Sequence, residues 1–229
     1  MPFPDILGDV CWIAATVGSF LICRMIYQRL GQPLLHPVLW STMLLVVLIG
    51  IMHHPLSAYR QETAPLVWLL GPAVVAMAVP IWERRSLILA NWFVLAAVIV
   101  MSLVFAAGNL FLLRGLLGDD LARALTLKSV TVPVAISIAR GAGLQEHLTL
   151  VGVMMSGMFG MVVGPLLLSW FGSKGDRPDL GIALGCAAHG LGTARAFEIG
   201  PTAGAFASVS MGLSALSYGV LLPPILKLV

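Results

Sequence analysis

Two short stretches of the sequence concentrate the residues that could do chemistry. They are TLKSVTVPVAISIARGAG, residues 126–143, and GCAAHGLGTARAFEIG, residues 185–200. Both set charged or hydroxylated side chains beside helix breakers within apolar surroundings. In the first, Thr131 lies two residues before Pro133. Threonine caps a helix start and proline suits its first turn, so a half-helix is expected to begin near Thr131. Its free N–H groups and dipole would favour an anion. Lys128 and Ser129, just ahead of that start, would supply a charge and a hydroxyl to a carboxylate. The competing reading is an ordinary interfacial helix start with Lys128 facing water.

In the second stretch Gly190 and Gly192 weaken the helix. Thr193 is then expected to cap a new start, with Arg195 in its first turn. A guanidinium suits bidentate recognition of a carboxylate. Glu198, three residues on and on the same face, would serve as counter-ion to Arg195 or as a proton carrier. The competing reading is a structural Arg–Glu pair at the membrane surface. His189 would titrate in proton-coupled transport or act as a hydrogen-bonded structural residue. Charges inside apolar spans are costly and point to function.

Other candidates carry less. His53 and His54 fit a polar loop, and Asp119 and Asp120, being adjacent, point about 100° apart on a helix. Five histidines at these spacings offer no metal site. Cys11, Cys23 and Cys186 sit in apolar runs without C-x-x-C spacing and read as small apolar fillers. No nucleophile elbow, H-E-x-x-H or P-loop occurs, so neither an enzyme nor a cofactor is expected.

The composition says what must position these residues. Of 229 residues, 59% are apolar and 10% charged, against roughly 25% charged in a typical soluble domain. Mean hydropathy is +0.98. The net charge of +3 leaves no nucleic-acid footprint. The expected fold is all-α: a polytopic helical membrane protein of about seven to eight membrane segments, two of them interrupted or re-entrant. A span needs roughly 20 apolar residues. Six segments qualify: 10–27, 36–52, 64–82, 87–107, 148–171 and 202–229. Residues 108–123 read as an interfacial helix or loop. The N-terminal MPFPDILGDV lacks a cationic region, so the first helix is expected to be retained. Arg24, Arg29, Arg84 and Arg85 fall on one side, which the positive-inside rule makes cytoplasmic. Gly152, Gly157, Gly160 and Gly164 allow close helix approach and suggest a homodimer face. One membrane domain is expected over 1–229, with 36–140 and 146–229 as structural halves. The weak likeness of 131–141 to 190–200 suggests an inverted repeat.

These segments also carry a resemblance. TLKSVTVPVAISIARGAG, GMVVGPLLL, AAHGLGTARAFEIG and FASVSMGL, in this order and spacing, resemble the LrgB/CidB family from about Leu125 to the C-terminus. HGLGTARA is the most specific of them. The resemblance implies a multi-pass protein of the bacterial inner membrane. It implies either a carrier of small hydroxy- or keto-acid anions, such as pyruvate, glycolate, glycerate or lactate, or an antiholin-like regulator of murein hydrolase export and lysis. It further implies a separate LrgA/CidA-like membrane partner. As a carrier, the chain would bind the anion with Lys128, Ser129, Thr131, Thr193 and Arg195, and couple a proton or sodium ion.

Overall fold

The computed structural model describes residues 6–30, 32, 35–69, 72, 75, 76 and 78–228. The chain divides into two units, Met1–Ala76 and Met77–Val229. The first unit holds α1 (Ile6–Leu30), α2 (Pro37–Ile51), α3 (Leu56–Glu62) and α4 (Ala64–Trp68). Pro37 opens α2, where its missing N–H costs nothing. The loop after α2 folds back on α1: the His54 ring stacks on Trp12 at 4.7 Å and its Nε2 meets Glu62 at 2.9 Å. Tyr59 meets Thr16 of α1 through their hydroxyls at 3.0 Å.

The second unit holds every candidate site residue. Its elements are α5 (Ala78–Glu83), α6 (Arg85–Ala90), α7 (Trp92–Leu117), α8 (Asp119–Thr126), a 3-10 turn (Leu127–Ser129), α9 (Val132–Gly141), α10 (Glu146–Trp170), α11 (Pro178–Ile199) and α12 (Pro201–Leu228). Among the described residues there is no strand. Four helices are long and apolar enough to cross a membrane: Gly8–Leu30, Trp92–Leu117, Glu146–Trp170 and Pro201–Leu226. The protein is therefore a polytopic helical membrane protein.

Several boundaries differ from expectation. The segment expected at 87–107 is shifted: Asn91, with its amide donating to the Leu87 carbonyl at 2.8 Å, ends α6, and α7 then runs ten residues past Ala107. The polar cluster after Gly108 does not break that helix. The break comes at Gly118, whose φ of +84° suits glycine, and Arg114 reaches over the turn to Asp119. The expected 64–82 span is interrupted at Leu69, and part of it lies outside the described residues. The segment 36–52 forms the 15-residue α2, shorter than a full span.

The second unit owes its architecture to α11. His189 has φ +40° and ψ −123°, so α11 is two limbs, 178–188 and 190–199. The limbs fold back on each other. An added Cβ on Gly192 would collide with the Leu184 carbonyl, and one on Gly200 with Asp176. Asp176 also accepts the Ala203 N–H at 2.7 Å, so residues flanking both ends of the hairpin meet. Each limb of about eleven residues rises roughly 16 Å, half the bilayer core of about 30 Å. The element is a re-entrant hairpin with His189 at its tip.

Residues 119–141 form a second hairpin. The chain is extended at Val130 and Thr131, between the 3-10 turn and α9. Gly152 of α10 packs against Leu125 and Lys128. Along α10, Gly152 lies roughly 9 Å from Glu146, whereas Lys128 in an unbroken helix would lie about 20 Å from Gly141. The contact therefore requires the chain to turn back at 130–131. α10 is long and apolar enough to span a membrane and connects the two hairpins, so they start from its opposite ends.

The glycines of α10 make this packing possible. A Cβ on Gly160 would come 2.7 Å from Ala188 Cβ, on Gly164 2.8 Å from Leu184 and on Gly157 2.8 Å from His189 Cε1. The glycine stripe expected to face a second copy is filled by the chain's own hairpins. In a membrane, such close approach supplies the packing that hydrophobic exclusion supplies in water. α12 completes the core: Gly181 and Gly185 sit against Ala203 and Ala207, and Phe206 and Tyr218 are almost fully buried.

Candidate functional site

Both sequence stretches singled out for chemistry are hairpin tips, and the tips meet. Irregular backbone at membrane depth is tolerated where protein buries it or where it lines a cavity. Here Ser129 from the first hairpin and Cys186 and Ala187 from the second line one cleft of about 180 Å³. Its walls are Ser102, Phe105, Ala106 and Asn109 of α7 and Tyr218 of α12. The carbonyls of Lys128 and Val153 lie beside the His189 imidazole. At the tip of its hairpin, His189 is 4% exposed and its Nε2 has no hydrogen-bond partner among the described residues.

At the first tip, Thr131 is extended and precedes α9, with Pro133 in the first turn, as the sequence indicates. The Thr131 hydroxyl does not cap its own helix. The first helical bond runs from Ala135 N–H to the Thr131 carbonyl at 2.9 Å. The N–H groups of Val132 and Val134 consequently lack helical acceptors, and Pro133 has no N–H. Lys128 lies roughly 14 Å along its limb. It is only partly exposed, and no carboxylate among the described residues pairs with it. An unpaired cation beside a helix N-terminus is a site of strong positive potential.

The second stretch is arranged differently from expectation. The chain breaks at His189 and not at Thr193, because Gly192 on the far side of the turn lets the limbs touch. Thr193 and Arg195 then fall within the returning limb. The Thr193 hydroxyl contacts Met211 Sδ at 3.6 Å. Arg195 Nη1 donates to Glu198 Oε2 at 2.6 Å. Of the expected site residues Ser129 lines the cleft, and Lys128, Thr131, His189, Thr193 and Arg195 do not. The structure thus gathers Lys128, Ser129, Thr131 and His189 at the meeting tips and leaves Thr193, Arg195 and Glu198 behind them. Asn109 and Tyr218 are cleft residues that sequence reasoning missed. The available signal was a lone amide and a lone phenol within otherwise apolar segments. Among the described residues no group of three or more His, Cys, Asp or Glu side chains could hold a metal ion.

Fold and site define a polytopic helical membrane protein in which two hairpins bring their tips together beside a small polar cleft. The LrgB-like family matches residues 16–228, and the chain belongs to that family. It is 37% identical to YxaC of Bacillus subtilis over 206 residues, covering 89% of each chain. It is 26% identical to the holin-like protein CidB of Staphylococcus aureus over 226 residues, covering 98% of each. No solved structure matches it.

Proposed function

We propose that this protein is a secondary transporter of small monocarboxylate anions of the pyruvate, glycolate, glycerate or lactate type, in a bacterial inner membrane. The observation that carries the reading is Lys128: a lysine with no carboxylate partner among the described residues, at the start of a half-helix and where two hairpins meet. Discontinuous helices meeting near the midplane are how many carriers hold ions and substrates. Lys128, the Val132 and Val134 N–H groups and the Thr131 hydroxyl bind the carboxylate, and the Ser129 hydroxyl binds elsewhere on the same anion. The two hairpins belong to the two halves of an inverted repeat and open in turn to opposite faces. Arg195 and Thr193 form a reserve binding group on the returning limb. Protonation of Glu198 releases Arg195 toward the anion and couples a proton to transport. His189, between the tips, and a sodium ion in place of the proton are the other routes to coupling.

Uptake of labelled pyruvate and glycolate into proteoliposomes holding this protein alone, wild type beside Lys128→Met, tests the reading. Saturable uptake lost in the variant supports it. Uptake that is normal in the variant removes Lys128 from the site.

A second reading follows from the relative named holin-like CidB: a membrane assembly that regulates murein hydrolase export and lysis, working with an LrgA/CidA-like membrane partner or as a homodimer. Wild-type protein that transports none of these acids, alone or with such a partner, favours this reading.

A further inference from the structure

The cleft between the hairpin tips contains a neutral polar set that the carboxylate does not use. Tyr218 donates its hydroxyl proton to the Ser102 carbonyl at 3.0 Å. Ser102's own hydroxyl is turned to the Ile99 carbonyl at 2.8 Å. Ser129 lines the same cleft as this phenol. With the phenol proton committed, the phenol oxygen can only accept, so a Ser129 hydroxyl turned to it leaves the Ser129 oxygen as an acceptor toward the cleft. Asn109 lines the same cleft and has no hydrogen-bond partner among the described residues. The partly exposed Asn109 amide opens on the cleft, where a ligand group can take up its donors. The cleft, at about 180 Å³, has room for roughly six water-sized groups at about 30 Å³ each.

We infer that Asn109, Ser129 and Tyr218 form a subsite that reads the substituent on carbon 2 of the bound acid and prefers a hydroxyl. The inference rests on the carboxylate-carrier reading above. A 2-hydroxyl donates to the Ser129 oxygen and accepts from the Asn109 amide, so both groups are satisfied at once. An unsubstituted acid leaves both unsatisfied. A 2-oxo group accepts from Asn109 and leaves the Ser129 oxygen without a donor. Tyr218 is a positioning residue: it fixes which way the Ser129 hydroxyl turns. A site built around a hydroxyl discriminates by the groups left unpaired when that hydroxyl is missing.

The test measures glycolate and acetate affinities of the full-length protein in proteoliposomes, by competition against labelled glycolate and by direct binding. Wild type is expected to hold glycolate at least about tenfold more tightly than acetate. Asn109→Leu is expected to reduce that ratio to about two or less. Tyr218→Phe, nearly isosteric and buried, is expected to reduce it about threefold, and it keeps the test open should the leucine variant fail to assemble. A wild-type ratio near one overturns the inference, as does a ratio unchanged in both variants, and the carrier reading then stands. Failure of wild type to bind either acid overturns both.

Discussion

Replacing Lys128 by methionine separates a functional cation from a structural one, because the two roles predict opposite signs. A lysine at the centre of a membrane helix costs about 2.5–3.5 kcal/mol on insertion scales. Lys128 is partly exposed and backs onto Gly152 near the meeting point of the hairpins. About half of that cost, roughly 1–2 kcal/mol, is therefore a fair figure for its desolvation. No carboxylate among the described residues offsets it. Methionine keeps the length and most of the volume and removes the charge, so the ligand-free protein should become more stable. For a chain of this size that corresponds to a rise of about 2–8 °C in Tm. Carboxylate affinity should move the other way. A hydrogen bond to a charged group contributes about 1.5–3 kcal/mol, so the variant should bind roughly 10- to 150-fold more weakly. Thermal unfolding of purified protein with and without glycolate reads both effects. A variant that is less stable without ligand, or that binds as wild type does, refutes the assignment of Lys128 to the anion.

Three further outcomes follow. An alanine methyl at position 160 would come 2.7 Å from Ala188 Cβ, about 1 Å inside ordinary contact, so Gly160→Ala should lower Tm and slow uptake, whereas Gly108→Ala, with open space around it, should do neither. His189 sits at φ +40°, a backbone conformation that costs of order 1–3 kcal/mol for a non-glycine residue; His189→Gly should be more stable than His189→Ala by about 1 kcal/mol in chemical denaturation, and equal stabilities would contradict the strained tip. Asp176 pins the hairpin to α12: partial burial pushes its pKa up, but hydrogen bonds from Ala203 and Thr202 and the charge of Arg84 outweigh that and hold it below the ordinary carboxylate value. A depressed folded pKa means its stabilisation is complete above the unfolded pKa and lost as pH falls through the folded one. Stability should therefore drop on acidification below the ordinary aspartate range, and Asp176→Asn should remove that part of the pH dependence.

The sequence was most legible where it violated its own pattern. Thr131 and Pro133 announced a helix start inside an apolar segment, and the structure has it. The glycines after His189 announced a weak helix, but the spacing alone suggested a cap at Thr193, whereas the reversal falls at the histidine. Local propensity could not show this, because what fixes the turn is the close approach of Gly192 to Leu184 and of Gly157 to His189, contacts made across elements. The glycine stripe of α10 was visible as a packing surface, and its occupant was not, since two copies and two hairpins ask for the same small residues. Arg195 and Glu198 attracted attention as charges, yet they satisfy each other. The neutral Asn109 and Tyr218, which carry no such signal, line the cleft.

The central claim is that one site between two opposed hairpin tips is reached in turn from both faces of the membrane. Thiol labelling of Ser129→Cys, in a background with Cys11, Cys23 and Cys186 changed to serine, tests it directly. The account predicts labelling by an impermeant reagent from either face of oriented vesicles, slowed by glycolate on both. Labelling from one face alone, indifferent to glycolate, would contradict it.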